Sequence, residues 1–520
     1  MNDWTPRSDH VVSFIDLGTN SVRMMVVRLN PNCSYTLISQ EKEVVRLGES
    51  EFGDNTLRRE AMDRTVLVCQ KFVQLSKAYG ADEIIMIATS AAREATNQNV
   101  LVERMREETG VELGVISGIE EARLIHLGVS SCVDLGTRDA LFIDIGGGST
   151  EVIIGDQERY SMLDSLRLGA IRTTSMFIPD GHKGAVDEGL YNKMKRHALA
   201  IMVHTVRSAS MVKYDQVWGS SGTIVNLAEM AARAYGGRPN VLRFTHLKKL
   251  AAMLRSLDLA SRRLVPGINP ERADIVIAGA AILETFMEEL HIEELNVSDR
   301  GVLNGMLVDY LSGIEGYPHA QRMSVRETSV LQLGRSCNVD EQHAETVQKL
   351  VLELFDSARE IGLHALGSKE RELLKYAAYL HDVGDFISFD NHHSHSYYIV
   401  RNADLLGFEG REIAIMANLV LYHRKRPPRR KDPGMVGLDG RTQENIITMS
   451  AFLRLAETLD RSHAGLVSKV GFTKKGKNEV VLEVVSDVDA SLEVWGLEDD
   501  QKAFHRAFDR SLKVRVRGAA

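Results

Sequence analysis

Two segments of the sequence place an aspartate beside a glycine turn with small polar side chains. They are Asp16-Leu17-Gly18-Thr19-Asn20-Ser21 and, with its aspartate 128 residues later, Asp144-Ile145-Gly146-Gly147-Gly148-Ser149-Thr150. Such turns direct backbone N–H groups and hydroxyls at an anion, and an aspartate tolerates a phosphate nearby mainly when Mg²⁺ neutralises the pair. A simple hairpin would need glycine only for positive φ, so the repetition of the whole pattern favours two phosphate-binding turns.

Two adjacent glutamates follow Ser117-Gly118 at the start of a predicted helix. At least one of Glu120 and Glu121 can point toward a cleft, where a carboxylate orients and partly deprotonates a water for attack on phosphorus. The helix dipole alone would also favour acidic residues in this first turn. The spacing does not choose between the two carboxylates.

Two further features have the chemistry of phosphate ligands. Arg93 follows a strand and a Thr89-Ser90 turn, so its guanidinium could bind a phosphate bidentately, although an exposed helix charge fits the local sequence better. Residues Gly219-Ser220-Ser221-Gly222-Thr223 form a third glycine turn between a strand and a helix. That turn suits either a phosphate or a plain helix N-cap.

Histidines and aspartates recur on the predicted helices between residues 343 and 460. The candidate metal ligands are His343, His381, Asp382, His392, His393, His395, His423 and Asp460. Imidazole and carboxylate groups on packed helices suit one or two divalent ions, and the adjacent His381 and Asp382 present two ligands at one helix end. A single histidine is more often a hydrogen-bonded core or surface residue, so the prediction depends on the complete set.

Charge is unevenly distributed along the chain. The net charge is −8, which predicts no global field for nucleic acid and leaves any polyanion to local patches. One such patch is RKRPPRRK at residues 424–431, with six cationic residues in eight. A run of this kind is usually a solvated loop, but beside a phosphate cleft it could hold a polyanion.

The order of predicted elements indicates several domains in the 520 residues. Strands and helices alternate in two related α/β halves, predicted at residues 1–134 and 135–316. Helical spacing dominates residues 317–464 and predicts an all-α domain. Residues 465–520 predict a small α+β domain docked on its neighbour, with strands in NEVVLEVVS, SLEVWG and LKVRVR and a helix near 500–508.

Composition excludes several classes of protein. With 44% hydrophobic and 26% charged residues, the chain is an ordinary globular protein, and four widely spaced cysteines predict reduced thiols. The first ten residues lack the apolar core of a signal peptide, and no run approaches about 18 uncharged apolar residues. We therefore expect a cytoplasmic protein without a membrane span.

Taken in order, several motifs resemble the exopolyphosphatase and guanosine-pentaphosphate phosphohydrolase family. They are FIDLGTNSVRMMVV (14–27), IATSAAREA (87–95), VISGIEEARLIHLGV (115–129), FIDIGGGSTEV (142–152), GSSGT (219–223), VPGINPERAD (265–274) and VSDRGVLNG (297–305). The resemblance implies two actin-like ATPase (ribonuclease H-like) lobes with the phosphate site in the cleft between them. It also points to a homodimer.

The resemblance assigns roles that spacing alone left open. It implies that Glu121 is the catalytic base, that Asp144 and Glu151 assist, and that Asp16, Asp144 and Glu151 bind Mg²⁺ or Mn²⁺. It reverses the local interpretation of Arg93, which matches a phosphate-contacting arginine. The implied phosphate-binding residues are Gly18, Thr19, Asn20, Ser21, Arg93, Gly146, Gly147, Gly148, Ser149, Thr150, Ser220, Gly222 and Thr223.

The helical region resembles an HD-type phosphohydrolase domain, with a second divalent-metal site implied at His343, His381, Asp382 and Asp460. His395 and His423 resemble its additional ligands. Against activity of that domain, Asp385 stands where many active members have lysine.

Three functional hypotheses follow. The first is a hydrolase that releases terminal orthophosphate from inorganic polyphosphate, or alternatively cleaves the 5′ γ-phosphate of pppGpp. The second is an actin-fold small-molecule kinase, although IVIAGAAILETF supplies only Gly279 for a nucleotide-binding turn. The third is a non-enzymatic regulator, which the four carboxylates Asp16, Glu121, Asp144 and Glu151 disfavour.

Overall fold

The computed structural model describes residues 9–49, 55–179, 181–314, 317, 323–475 and 478–518. Residues 1–8, which form most of the segment MNDWTPRSDH, lie outside these ranges. Residue 316, the predicted end of the second α/β half, also lies outside them. The chain divides into two compact units. One extends to residue 322 apart from residues 32–34, and the other holds residues 32–34 and the chain from residue 323.

A five-stranded sheet with the order β3-β2-β1-β4-β5 forms the first lobe of unit 1. Its strands are β1 (His10–Leu17), β2 (Ser21–Leu29), β3 (Tyr35–Val44), β4 (Glu83–Ala88) and β5 (Leu113–Val115). β1 pairs antiparallel with β2, which sets Asp16 opposite Arg23, and parallel with β4. Because β1 is central, its residues from Val11 to Leu17 are buried, and its sequence is nearly continuously apolar.

A six-stranded sheet with the order β10-β11-β9-β6-β7-β8 forms the second lobe. Its strands are β6 (Ala140–Ile145), β7 (Thr150–Gly155), β8 (Tyr160–Leu166), β9 (Gln216–Ser220), β10 (Val241–Arg243) and β11 (Glu294–Val297). β6 pairs antiparallel with β7, with Asp144 opposite Glu151, and parallel with β9. This arrangement repeats that of β1, β2 and β4, so the predicted internal repeat is confirmed.

Helices of unit 1 connect the two lobes as well as covering them. They are α1 (Arg59–Ala78), α2 (Ser90–Glu94), α3 (Gln98–Thr109), α4 (Gly118–Ser130), α5 (Ala170–Phe177), α6 (Glu188–Ser210), α7 (Ser221–Tyr235), α8 (Phe244–Ser256), α9 (Leu259–Arg262), α10 (Val276–Glu289) and α11 (Val302–Ser312). α4 packs on β7 and β8 of the second sheet, whereas α11 packs on β1 of the first. Chain order alone therefore does not separate the lobes.

The second unit is mainly helical, with a three-stranded sheet near its end. Its elements are α12 (Val325–Ser336), α13 (Glu341–Glu360), α14 (Ser368–Leu380), α15 (His392–Asn402), α16 (Gly410–Leu421), α17 (Gly440–Thr458), β12 (Lys469–Lys475), β13 (Glu479–Val485), α18 (Ser491–Phe508) and β14 (Ser511–Arg517). Phe472 and Leu482 of the sheet belong to the same buried cluster as Phe452 of α17. The last segment thus shares its core with the helices before it.

One predicted strand is wrong. SLEVWG at residues 491–496 forms the beginning of α18 rather than a strand. Leu492 and Val494 alternate in the sequence as in a strand, but Leu492 is 50% and Trp495 64% exposed, whereas Leu497 and Phe504 are buried at helical spacing. Burial of one helical face therefore outweighed a short alternating pattern. None of the described helices is both long and apolar enough to cross a lipid bilayer.

Candidate active site

The two glycine turns join the first hairpin of each lobe and close in the same way. In the first, Gly18 N–H donates to Ser21 O at 3.0 Å, and in the second Gly146 N–H donates to Ser149 O at 2.9 Å. These bonds tighten each chain reversal directly after Asp16 and Asp144. Each aspartate is thereby held at a strand end, beside the backbone amides of its turn.

The turns face each other across the lobes, and glycine permits that approach. A Cβ atom on Gly147 would lie 2.9 Å from Thr19 Cβ, and one on Gly148 would lie 2.5 Å from Ser90 Oγ. Both distances are shorter than any normal contact, so a side chain at either position would push the lobes apart. Here glycine serves close packing between turns.

The facing turns enclose a cavity of about 450 Å³. Both turns contribute to its wall, together with Asp16, Asp144 and Glu121. The predicted phosphate ligands in the lining are Gly18, Thr19, Asn20, Ser21, Gly146, Gly147, Gly148, Ser149 and Gly222. Asp16 and Asp144, from different lobes, therefore share one crevice, as the phosphate-site prediction requires.

Several predicted residues lie outside this lining and support it. Ser220 Oγ donates to Asp144 Oδ2 at 2.5 Å, and Thr150 donates to the carbonyl of Leu168. Thr223 lies under α10, where its Cγ2 would be 2.3 Å from a Cβ on Gly279. The contacts of Ser220, Thr150 and Thr223 therefore help to position the residues that line the cavity.

Glu121 and Glu120 differ sharply in their surroundings. Ser117 caps α4 by accepting from Glu120 N–H at 3.1 Å. Glu120 pairs with Arg123 at 2.7 Å, whereas Glu121 is 7% exposed, lines the cavity and accepts from Arg93 Nη1 at 2.8 Å. Arg93 also donates to the backbone carbonyl of Ile116 at 3.2 Å. The structure thus brings Glu121 to the cavity and gives Arg93 a carboxylate partner.

The buried carboxylates have raised pKa values. Burial raises the pKa of Asp16 to about 6, opposed by Arg23 and assisted by Asp144. Burial likewise raises the pKa of Glu121 to about 7, against the lowering effect of Arg93. The pKa values of Asp144 and Glu151 are raised by burial too, with a further contribution from Glu121 at Glu151. Burial thus favours the protonated form of these four acidic groups, whereas nearby cations favour the charged form.

Cationic side chains that sequence reasoning missed belong to the same site. Arg23, Lys42, Arg272 and Arg300 line the cavity. Burial and the neighbouring Arg272 lower the pKa of Lys42 to about 8, and burial lowers that of Arg272 to about 10. A Cβ on Gly222 would lie 2.4 Å from the Arg272 guanidinium. The signal for Arg23 was available, since its strand follows the first turn directly.

A second cluster lies in the helical unit. His343, His381, Asp382 and Glu457 bring one ligand atom each within 4.8 Å of one another, and Asp382, His392 and His423 form an adjoining group. Burial lowers the pKa of His423 to about 3. At His343, bonds to Asp460 and Glu457 outweigh the lowering effect of burial and raise the pKa to about 10.

Three predicted ligands lie outside both groups. Asp460 Oδ2 lies 2.8 Å from Nδ1 of His343, and Glu457 rather than Asp460 is the carboxylate grouped with His343 and His381. His393 and His395 belong to neither group of described ligands. Glu457 could have been found from its spacing, because it precedes Asp460 by three residues, about one helical turn.

The basic loop makes local ion pairs. Arg426 Nη1 lies 2.7 Å from Asp432 Oδ2, and Arg430 pairs with Glu444. Arg424 instead reaches His392, with Nη1 3.2 Å from Nε2. Of this run, Arg424 is the residue placed beside the histidine cluster.

Comparison with protein-family models assigns the chain over most of its length. Residues 25–313 match the model described as Ppx/GppA phosphatase family, and residues 325–501 match Ppx/GppA phosphatase, domain III. The chain belongs to the Ppx/GppA phosphatase family. Ppx/GppA membership makes it a phosphoanhydride hydrolase, and its two α/β lobes have the actin-like ATPase fold.

Two solved structures with the fold of the α/β lobes resemble this chain. An exopolyphosphatase from Cytophaga hutchinsonii is 26% identical, with a TM-score of 0.54, over 59% of this chain and 99% of that one. An exopolyphosphatase-like protein is 24% identical, with a TM-score of 0.53, over 58% and 98%.

Proposed function

We propose that this enzyme releases terminal orthophosphate from inorganic polyphosphate, with the 5′ γ-phosphate of pppGpp as the alternative substrate. The observation that carries the proposal is the position of Glu121. Its carboxylate lines the cavity between the two glycine turns and is held by Arg93. A base therefore stands beside two amide-lined turns suited to a phosphate.

Glu121 has the properties of a general base near neutral pH. With a pKa of about 7, its carboxylate is a stronger base than an ordinary exposed glutamate. In the proposed step it takes a proton from water as the water oxygen bonds to the terminal phosphorus. The P–O bond to the chain breaks, and its electron pair stays on the oxygen of the shortened chain.

Asp16, Asp144 and Glu151 would hold the Mg²⁺ or Mn²⁺. Among the described residues, Asp16 Oδ1 and Glu151 Oε2 are buried without a hydrogen-bond partner. Buried carboxylate oxygens without donors fit a hard divalent cation. When bound, the ion supplies positive charge between these carboxylates and the phosphate oxygens.

The two glycine turns and the cationic wall, formed by Arg23, Lys42 and Arg272, would hold the substrate. The turn residues Gly147 and Gly148 would face the terminal phosphate, while Arg23, Lys42 and Arg272 would neutralise further phosphates. None of the described lining residues is aromatic. A guanine base would therefore find no ring to stack on within this cavity, which supports polyphosphate over pppGpp.

The decisive experiment compares Glu121→Gln with Glu120→Gln. Orthophosphate release from long-chain polyphosphate, pppGpp and ATP is measured with Mg²⁺ and with Mn²⁺. We expect Glu121→Gln to lower kcat by at least about 10²-fold with KM nearly unchanged, because glutamine keeps the shape but accepts no proton. Glu120→Gln, whose partner is Arg123, should keep near-normal turnover.

Two results would contradict the proposal. Near-normal turnover of Glu121→Gln would remove Glu121 from the base role. Phosphate transfer from ATP to a carbohydrate, without release from polyphosphate or pppGpp, would instead establish the kinase hypothesis.

A further inference from the structure

The second glycine turn is held by hydrogen bonds from the amino end of α5. The backbone bonds run from Ala170 N–H to Gly146 O at 3.0 Å, from Ile171 N–H to Gly147 O at 2.8 Å and from Arg172 N–H to Gly147 O at 3.1 Å. The Arg172 side chain adds a bond from Nε to Gly148 O at 2.8 Å. The carbonyls of all three glycines are therefore bound by α5.

This bonding pattern determines where the amides of the turn point. In a planar trans peptide, the N–H lies opposite the C=O. The N–H groups that follow the three bound carbonyls belong to Gly147, Gly148 and Ser149, and they are therefore directed away from α5. Within the described part of the chain none of these N–H groups donates to an acceptor, and all three residues line the cavity. The amino end of α5 thus orients amides that can bind an anion there.

Arg172 also contacts the other lobe. Its Nη2 donates to Glu94 Oε2 at 2.6 Å, and Glu94 is the last residue of α2, which follows β4 of the first sheet. At the start of the same helix, Ser90 Oγ donates to Glu94 Oε1 at 3.0 Å. A Cβ atom on Gly148 would approach this Ser90 Oγ to 2.5 Å. α2 therefore packs against the second glycine turn, and Arg172 bonds to both.

The helix that Arg172 binds also holds Glu121. Arg93 precedes Glu94 on α2, and its Nη1 donates to Glu121 Oε2 at 2.8 Å. Two adjacent side chains of a five-residue helix thus have separate partners: Arg93 holds Glu121, and Glu94 holds Arg172. Through Arg172, this short helix is linked to the carbonyl of Gly148.

Burial and the shape of the guanidinium make this link rigid. The side chains of Arg172 and Glu94 are only 10% and 6% exposed, so losing either partner leaves the other as an unpaired buried charge. Nε and Nη2 lie on one edge of the planar guanidinium, which fixes the separation of Gly148 O and Glu94 Oε2. Arg167 lies 3.5 Å from the same carboxylate, but its side chain is 76% exposed, and we expect that ion pair to contribute little.

We propose that Arg172 is a positioning residue that sets the distance between the amides of the second glycine turn and the carboxylate of Glu121. Arg172 does not itself line the cavity and acts through Gly148 and Glu94. The inference rests on the function proposed for this cavity and adds a fixed spacing between its two lobes. Spacing matters because a misplacement of about 1 Å can cost roughly 10²-fold in rate.

Steady-state kinetics of the full-length protein test this role with polyphosphate and with pppGpp. We expect Arg172→Gln to lower kcat about 10- to 100-fold with a smaller change in KM, because amides and base are both present but no longer correctly spaced. Arg172→Lys should recover little of this loss, since lysine keeps the charge but lacks two donors in one plane. Arg167→Gln is the matched control, because it removes the exposed arginine beside the same carboxylate, and it should keep near-normal turnover.

A double-mutant cycle and chemical rescue separate positioning from a general loss of stability. Because Glu94 acts on the turn through Arg172, Glu94→Gln combined with Arg172→Gln should lose little more kcat than Arg172→Gln alone. Millimolar guanidinium chloride should restore part of the kcat of Arg172→Ala, whereas sodium chloride at the same ionic strength should not. Near-normal kcat in Arg172→Gln or Arg172→Lys would overturn the proposal. Independent losses in the cycle, or equal effects of the two salts, would also overturn it.

Hydrogen exchange provides a readout that needs no substrate. With circular dichroism verifying the fold, we expect Arg172→Gln to speed amide exchange in residues 89–95, which contain α2, and Arg167→Gln to leave it unchanged. Unchanged exchange there in Arg172→Gln would overturn the link between the lobes. Normal turnover of Glu121→Gln would instead contradict the proposed function, so the two proposals fail separately.

Discussion

A rotation of about 100° around a helix axis separates Glu120 from Glu121, and it decides which of the two carboxylates reaches the cavity. Glu120 pairs with Arg123, which also binds Asp309 at 2.8 Å. The Glu121 carboxylate lines the cavity, and its burial there raises its pKa. The same burial that raises the pKa of Glu121 also destabilises the folded protein, because charged carboxylates are held out of water.

That cost predicts a stabilising substitution at Asp16. Its folded-state pKa of about 6 lies above the unfolded value of 3.8, so the carboxyl favours folding most below about pH 4, and this contribution is lost as pH rises through about 6. Asp16→Asn has no such titration. In urea unfolding at pH 7 without divalent metal, we expect the variant to be about 1–3 kcal/mol more stable than wild type, with activity lost.

The advantage of Asp16→Asn should disappear in two conditions. At pH 4 the wild-type carboxyl is largely protonated, and with saturating Mg²⁺ the wild type gains binding energy that the variant lacks. Asp63→Asn, at an aspartate 52% exposed on the surface, is the control and should change stability little. An equal effect of Asp16→Asn at pH 4 and pH 7 would contradict the assigned pKa.

At the scale of elements, the crossing of α4 and α11 positions Glu121, the proposed base. A Cβ on Gly305 of α11 would lie 1.9 Å from the carbonyl oxygen of Leu124, three residues beyond Glu121 on α4. Backbone atoms cannot move away from such a contact without a large cost in free energy. The helix that carries Glu121 is thus positioned by a glycine on a helix almost 200 residues away in sequence.

We expect Gly305→Ala to force these helices apart. The predicted result is a loss of about 1–3 kcal/mol or more in unfolding free energy, with a larger fall in kcat than in apparent affinity, because the base moves from its place. Thermal unfolding and steady-state kinetics measure both. Gly313→Ala at the end of the same helix, where the nearest atom is 3.4 Å away, should be nearly neutral. Similar losses in both variants would contradict a specific role for the crossing.

At the scale of the whole molecule, a chain of net charge −8 must attract a polyanion to one crevice. The attraction depends on Arg23, Lys42 and Arg272, which line one cavity although they come from both lobes. Attraction of this kind is screened by salt. Binding, rather than the chemical step, should therefore depend on ionic strength.

Lys42→Gln tests this local field. We expect KM for polyphosphate to rise roughly two- to tenfold, with kcat nearly unchanged and a weaker dependence of KM on salt. In wild type, KM should also rise as pH passes about 8, where Lys42 loses its charge, and this rise should be absent from the variant. Lys71→Gln, at a lysine 62% exposed and paired with Glu43, is the control. Equal salt dependence in wild type and Lys42→Gln would argue against the cationic wall.

By itself, the sequence determined the two glycine turns, the repeated strand pairs and the predominance of helices after about residue 318. These features depend on neighbours along the chain: strand, glycine turn and strand follow directly from local spacing and apolar pattern. His343, His381 and Asp382 were also recognisable as candidate metal ligands, because a set of histidines and aspartates on neighbouring helices has few other roles.

Only the tertiary structure decided which polar groups meet. It placed Glu121 rather than Glu120 at the cavity, gave Glu457 rather than Asp460 the inward position, and joined Lys42 with Arg272 in one wall. It also made SLEVWG helical, since its exposure depends on the core packed beneath α18. Each of these outcomes depends on contacts between distant segments, and side-chain direction and burial there are set by the sum of the packing rather than by local spacing.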